Sequence, residues 1–193
     1  MGEGILFELK RKFIHLFALL FIVIYVIFKN YFSHKTALII LIALLIFFLI
    51  LEFLRIKLKI KLPLFHIVFR KKEKKKIAGY VYFLTGVIIA FAFFDFNIAL
   101  AVILMMVFGD MAAALFGMSF GRHWINKELA WEGIIAEFVV DVIIGFTLLT
   151  NPIIIFAMAF VATFVESFLT KIDDNLSIPI FAGFVGQVLK NVL

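Results

Sequence analysis

Four stretches of this sequence carry side chains that could do chemistry, and they share a theme of carboxylates beside cations. In "ELKRKFIH", Glu8, Arg11, Lys12 and His15 fall at i, i+3, i+4 and i+7, on one helix face. Arg11 and Lys12 suit a polyphosphate, the arginine through its planar fork. A basic juxtamembrane anchor is the plainer reading, but it does not explain His15 inside an apolar run, where an ionisable group usually faces the bundle interior.

In "GDMAAALFGMSFGRH", Asp110, Ala113, Ala114, Gly117 and Gly121 follow helical spacing, a stripe of small residues with a carboxylate at its deep end. Small residues let another helix pack closely, or let a nucleotide approach the backbone. Asp110 needs a further reason, because an intramembrane aspartate is costly and is usually functional. "WEGIIAEFVVDVIIG" puts Glu132 at the mouth of the next apolar run, with Gly133, Glu137, Asp141 and Gly145 at successive i+4 steps. Glu132 is the better ligand candidate of these acids, while Asp141, the deepest, suits a structural or protonated role as well as a catalytic one. In "ESFLTKIDDNLSIP", Glu166 precedes Asp173, Asp174 and Asn175, where one helix ends and another begins. One of the three can cap the new helix. Three exceed what a cap requires, and hard oxygen ligands of this kind hold Mg²⁺ on substrate phosphates.

The rest of the inventory narrows the chemistry. There is no cysteine, so no disulfide or thiolate metal site, and no Ser–His–Asp set, Walker motif or His-rich metal site is recognisable. Cations with clustered carboxylates suit phosphoryl or nucleotidyl transfer, in which positioning and charge neutralisation supply most of the catalysis.

The elements that must position these residues are apolar helices. The chain has 193 residues, is 65% hydrophobic and has a mean hydropathy of +1.18. The predicted fold is an all-α, polytopic membrane bundle, one domain over 1–193, with about seven segments at 13–29, 36–55, 77–94, 97–118, 131–150, 152–170 and 176–192. Pro179, Gly183 and Gly186 predict that the last segment is broken or half-inserted. Tyr80, Tyr82 and Trp131 read as interfacial aromatics. With the N-terminus cytoplasmic, all but Lys29, Lys35 and Lys190 of the 19 basic residues lie inside, a positive-inside bias that fixes the orientation. All four polar stretches then fall near the cytoplasmic face. The net charge of +6 points to anionic lipid headgroups and not to nucleic acid.

The order "ExxRKxxH", "GDxxAxxxGxxxG", "EG" and "DDNLxIP" resembles the CTP-dependent polyprenol kinase family, which includes dolichol kinase, phytol kinase and CTP-dependent diacylglycerol kinases. The resemblance runs from Glu8 to Pro179 and implies transfer of the γ-phosphoryl group of CTP to a membrane lipid alcohol. Carried over by position, it implies that Asp110, Ala113, Gly117, Gly121, Glu132 and Gly133 belong to the CTP-binding region. Arg11 and Lys12 match the family's basic pair, and Asp173, Asp174 and Asn175 its late acidic motif. Where the family has a lysine followed by serine or threonine before "EG", this chain has Leu129 and Ala130. Either Lys127, Arg122 or His123 makes that phosphate contact, or the nucleotide preference differs from the family's.

The expected enzyme is therefore a multi-pass lipid kinase with its active site facing the cytoplasm, and the bilayer supplying its substrate. Asp173, Asp174 and Glu166 are the expected Mg²⁺ ligands, and Asn175 joins the nucleotide site. Asp110 is the first candidate base and His15 the second. The rivals are a cytidylyltransferase making a CDP-lipid, and an ion-coupled transporter using Asp110, Glu137 and Asp141. The sequence leaves the lipid and the oligomeric state open, a homodimer included.

Overall fold

The structure is a computed structural model that describes residues 19–58, 77–125, 129–169 and 172–193. Among these residues the chain forms seven helices. They are α1 (Leu19–Tyr31), α2 (His34–Lys57), α3 (Gly79–Phe93), α4 (Phe96–Phe120), α5 (Trp131–Leu148), α6 (Pro152–Phe168) and α7 (Asp174–Val192). The expected segments and these helices agree to within a few residues wherever the chain is described. By length and composition α2 and α4 are able to cross a membrane, while α1, α3 and α6 are shorter apolar helices.

Local chemistry sets several starts. Ser33 caps α2 by accepting from the Thr36 backbone N–H at 3.1 Å, and Asn151 caps α6 ahead of Pro152. Pro suits a first helical turn because its missing N–H has no intrahelical partner there anyway. Contrary to expectation, α7 is continuous through Pro179. Pro179 cannot donate to the Asn175 carbonyl one turn back, and that carbonyl lies against Gly86 of α3, where a Cβ would collide with it.

Short connections make α1 and α2, α3 and α4, and α5 and α6 antiparallel neighbours. At one end the Tyr25 hydroxyl meets His34 Nδ1 at 2.7 Å, its ring stacks on Phe91 with centroids 3.7 Å apart, and Lys190 pairs with Asp95 at 2.6 Å. At the opposite end lie the last turns of α2, α4 and α6 and the first turns of α3, α5 and α7. α7 packs on α3, α6 and the first part of α4, and α5 packs between the second part of α4 and α6. The outer faces are apolar: α2 has a mean hydropathy of 3.2 with 17% of that stretch buried, against 2.4 and 56% for α4. An outward apolar surface of this kind needs an apolar surrounding, and the two long helices are consistent with membrane association.

Small residues set the spacing between helices. The face of α5 that carries Gly133, Glu137, Asp141 and Gly145 is buried. A Cβ on Gly133 would come 2.6 Å from the Ala113 carbonyl oxygen of α4, and one on Gly145 would come 2.5 Å from Ile155 Cγ2 of α6. Because Ile155 Cγ2 is fixed close to its backbone, Gly145→Ala is expected to destabilise the protein by about 1–3 kcal/mol through overpacking. A melting curve in detergent checks this, and the reverse strain-free change Ile155→Ala in the same background is expected to recover part of the loss.

Candidate functional site

The acidic pair opens α7. Asp173 is the N-cap, and both its Oδ1 and that of Asp174 accept from Asn175. The Asn175 backbone N–H lies 3.2 and 2.9 Å from them, and its Nδ2 lies 2.9 and 3.0 Å away. One asparagine therefore gathers two carboxylates. Asn175 is buried, as is Ser177, whose hydroxyl donates to the Asp173 carbonyl at 3.2 Å. Behind them stands α3: Gly79 comes near Asn175 Nδ2, and Gly86 lies against the Asn175 carbonyl.

Burial first, and then the neighbouring charge of Asp174, push the Asp173 carboxyl up from 3.8 to about 6, against the pull of the Asn175 hydrogen bonds. Its folded form thus holds a proton more tightly than the unfolded chain does.

The second constellation joins α4 to α5. Ala113 and Gly117 face Gly133, and Gly121 lies against the Trp124 ring and Ala130. The stripe of small residues is thus a helix contact, and any nucleotide role for Ala113, Gly117, Gly121 and Gly133 would have to be met at its rim. The connection after Gly121 folds back as a short hairpin, bridged at Trp124 and Ala130. Glu132 braces it, taking the His123 ring Nδ1 at 2.8 Å and the His123 backbone N–H at 3.3 Å. Arg122 and His123 are exposed beside it. Asp110 is half-buried; it follows a π-helical turn, Met105–Gly109, about 15 Å or ten residues from the end of α4.

The same end holds a further cluster, outside the four polar stretches. Glu52 is buried and takes Arg55 Nε at 3.0 Å, the Tyr80 hydroxyl at 2.7 Å and the Ala78 backbone N–H at 3.2 Å. Tyr80, read as an interfacial aromatic, is thus an interhelical donor. The i, i+3 spacing of Glu52 and Arg55 was the available signal, while the Tyr80 contact crosses a long connection. Arg11, Lys12, His15 and Lys127 lie outside the described residues.

Among the described residues no three acidic, His or Cys side chains gather as a metal site, so Glu166 does not complete a three-carboxylate set with Asp173 and Asp174. The physical reason lies in its position: Glu166 sits within α6, half-buried before the helix ends. Two adjacent carboxylates still fit Mg²⁺, which keeps several waters and takes further oxygens from substrate phosphates. A cavity of about 290 Å³ lies at the opposite end of the bundle, lined by Asn97, Leu149, Asn151 and Lys190 among others, away from all these carboxylates.

With the geometry in place, similarity to known proteins adds one finding. Over 81 residues the chain is 38% identical to CTP-dependent diacylglycerol kinase 1 of Eremothecium gossypii, a match covering 40% of this chain and 25% of that protein. The match relates part of the chain to a CTP-dependent lipid kinase. No protein-family model matches, and no solved structure matches.

Two predictions follow from the acidic pair and the Glu52 cluster. The contribution of Asp173 to stability is full below pH 3.8 and is lost as pH rises from there to about 6. The difference in melting temperature between wild type and Asp173→Asn, measured without divalent cations, is expected to track that window, and Mg²⁺ is expected to offset the loss. Glu52→Ala leaves Arg55 buried beside the Tyr80 hydroxyl, and is expected to cost about 3–5 kcal/mol, read from denaturant or thermal unfolding in detergent.

Proposed function

We propose that this protein is a multi-pass membrane kinase that transfers the γ-phosphoryl group of CTP to a lipid alcohol at the cytoplasmic face. The observation that carries the reading is the Asn175-held pair Asp173–Asp174, at the same end of the bundle as Glu132, His123 and Arg122. The partial similarity to a CTP-dependent diacylglycerol kinase supports the nucleotide and the lipid class. The positive-inside bias supports the orientation, and the outward apolar faces support seven spans in a bilayer.

In this reading Asp173 and Asp174 would hold Mg²⁺, which when bound would supply neutralisation of charge on the CTP phosphates. Arg11, Lys12, Arg122 and Lys127 add positive charge around the triphosphate, and the rim of the α4–α5 contact, from Gly121 to Gly133, receives the nucleotide. Glu132 acts through His123: it fixes the hairpin whose Arg122 faces the phosphates. The lipid alcohol, a polyprenol, a phytol-like isoprenoid or a diacylglycerol, enters sideways between helices. Its hydroxyl oxygen forms the new bond to the γ-phosphorus, the bond from that phosphorus to the β-bridging oxygen breaks, and CDP leaves. The hydroxyl proton passes to Asp110, with His15 the alternative base. At the far end, Lys190 and Gln187 engage Asp95 and Tyr25 engages His34, an arrangement that favours a structural end over the mouth of a transport path.

Purified protein with Mg²⁺, CTP and a panel of lipid alcohols is expected to yield a lipid phosphate and CDP. Asp174→Asn is expected to lower turnover by about a hundredfold or more, as for loss of a group that stabilises transition-state charge. Release of pyrophosphate with a phosphatidic-acid-like substrate would identify a cytidylyltransferase, and no lipid product with any nucleotide would overturn the kinase reading.

A further inference from the structure

Glu52 stands at the end of α2, far in sequence from the acidic pair, yet a continuous run of contacts joins the two. The helix α3 starts without a cap of its own, because its N-cap residue is Ala78, whose methyl group accepts no hydrogen bond. Glu52 supplies an acceptor there from the neighbouring helix. It takes the Ala78 backbone N–H at 3.2 Å and the Tyr80 hydroxyl at 2.7 Å. The first of these bonds is the glutamate half of a capping box, made between two helices instead of within one. Arg55, donating through Nε at 3.0 Å, balances the charge of a carboxylate that is only 2% exposed. Together these bonds fix the start of α3 against α2.

α3 in turn seats Asn175 at two points. A Cβ on Gly79 would lie 3.7 Å from Asn175 Nδ2, which is ordinary contact. Gly86, about two turns further along α3, lies against the Asn175 carbonyl, too close for any side chain. The side-chain amide and the main chain of Asn175 therefore both rest on α3. Asn175 Nδ2 is the atom that bonds Asp173 and Asp174 alike. A displacement of the start of α3 would thus move the seat of that amide relative to the two carboxylates.

Taking the acidic pair as the metal site, as the proposed function does, we propose that Glu52 and Tyr80 are positioning residues for it. They set the start of α3, and α3 holds Asn175 where it gathers the two aspartates. They act through Asn175 and not on the substrate. Groups that orient metal ligands from behind affect metal affinity about tenfold or more when removed.

The first measurement needs neither nucleotide nor lipid alcohol, so it stands or falls apart from the kinase reading. The purified full chain, carrying isotope-labelled asparagine, is followed in detergent by the side-chain amide resonance of Asn175, identified by its loss in Asn175→Ser. Tyr80→Phe keeps the ring beside Phe48 and removes only the hydroxyl; it is expected to shift that resonance. Tyr25→Phe, which loses a hydroxyl bond at the opposite end of the bundle, is expected to leave it in place. Glu52→Gln is expected to shift it further, and Tyr80→Phe decides the matter if that variant does not fold. An unmoved resonance in Tyr80→Phe, or equal movement in Tyr25→Phe, would overturn the proposal. In turnover, Tyr80→Phe is expected to raise the half-saturating Mg²⁺ concentration about tenfold, with little change in kcat once Mg²⁺ saturates. An unchanged Mg²⁺ dependence would also overturn it. If wild type makes no lipid phosphate, the kinase reading falls and the Asn175 resonance alone decides the positioning.

Discussion

A carboxylate withdrawn from water must find donors or a cation close by, and the surroundings of Glu52 and Asp173 in this bundle follow from that constraint. Glu52 meets Arg55, Tyr80 and the Ala78 backbone, and so fixes the start of α3 against the end of α2. Asp173 and Asp174 meet Asn175 at the start of α7. Glu132 meets His123 across the hairpin that joins α4 to α5. Each acid thereby fastens a helix end at the same face of the bundle. Asp95, at the opposite end, is held below the ordinary carboxylate range by hydrogen bonds from Lys190 and Gln187.

The two Asn175-held aspartates depend on how closely α7 approaches α3. Gly86 permits that approach, and it lies against the one carbonyl of α7 that Pro179 leaves without its usual helical donor. The proline therefore does not break the helix; the neighbouring helix accommodates it. Glycines elsewhere act in the same way, Gly133 against Ala113 and Gly183 against the Phe94 ring, which is the packing mode expected where apolar helices have little hydrophobic drive to associate.

Much of this was legible in the sequence, because helical periodicity and short polar turns are local signals. The i+4 stripe Gly133, Glu137, Asp141 and Gly145 is the buried face of α5, as its spacing indicates. A cap among Asp173, Asp174 and Asn175 was readable from "DDNLSIP" for the same reason, and Asp173 is the residue that makes it. The stripe from Asp110 to Gly121 was ambiguous, since small residues serve a nucleotide and a neighbouring helix alike, and the Gly133 contact shows the packing role of Ala113 and Gly117. What the sequence concealed was long-range pairing: Tyr80 with Glu52, and Gly86 with Asn175. The reading of α7 as broken failed because a proline's effect depends on what its partner helix offers.

The central claim is that Asn175 arranges Asp173 and Asp174 to hold a divalent cation on a bound nucleotide. Its most direct measurement is equilibrium binding of the Mn²⁺–CTP complex to the purified protein, followed by the electron spin resonance of the metal. The account predicts metal-dependent nucleotide binding that Asp173→Asn and Asp174→Asn abolish and Asn175→Ala weakens. Binding of equal strength in all four proteins, or none in wild type, would contradict it.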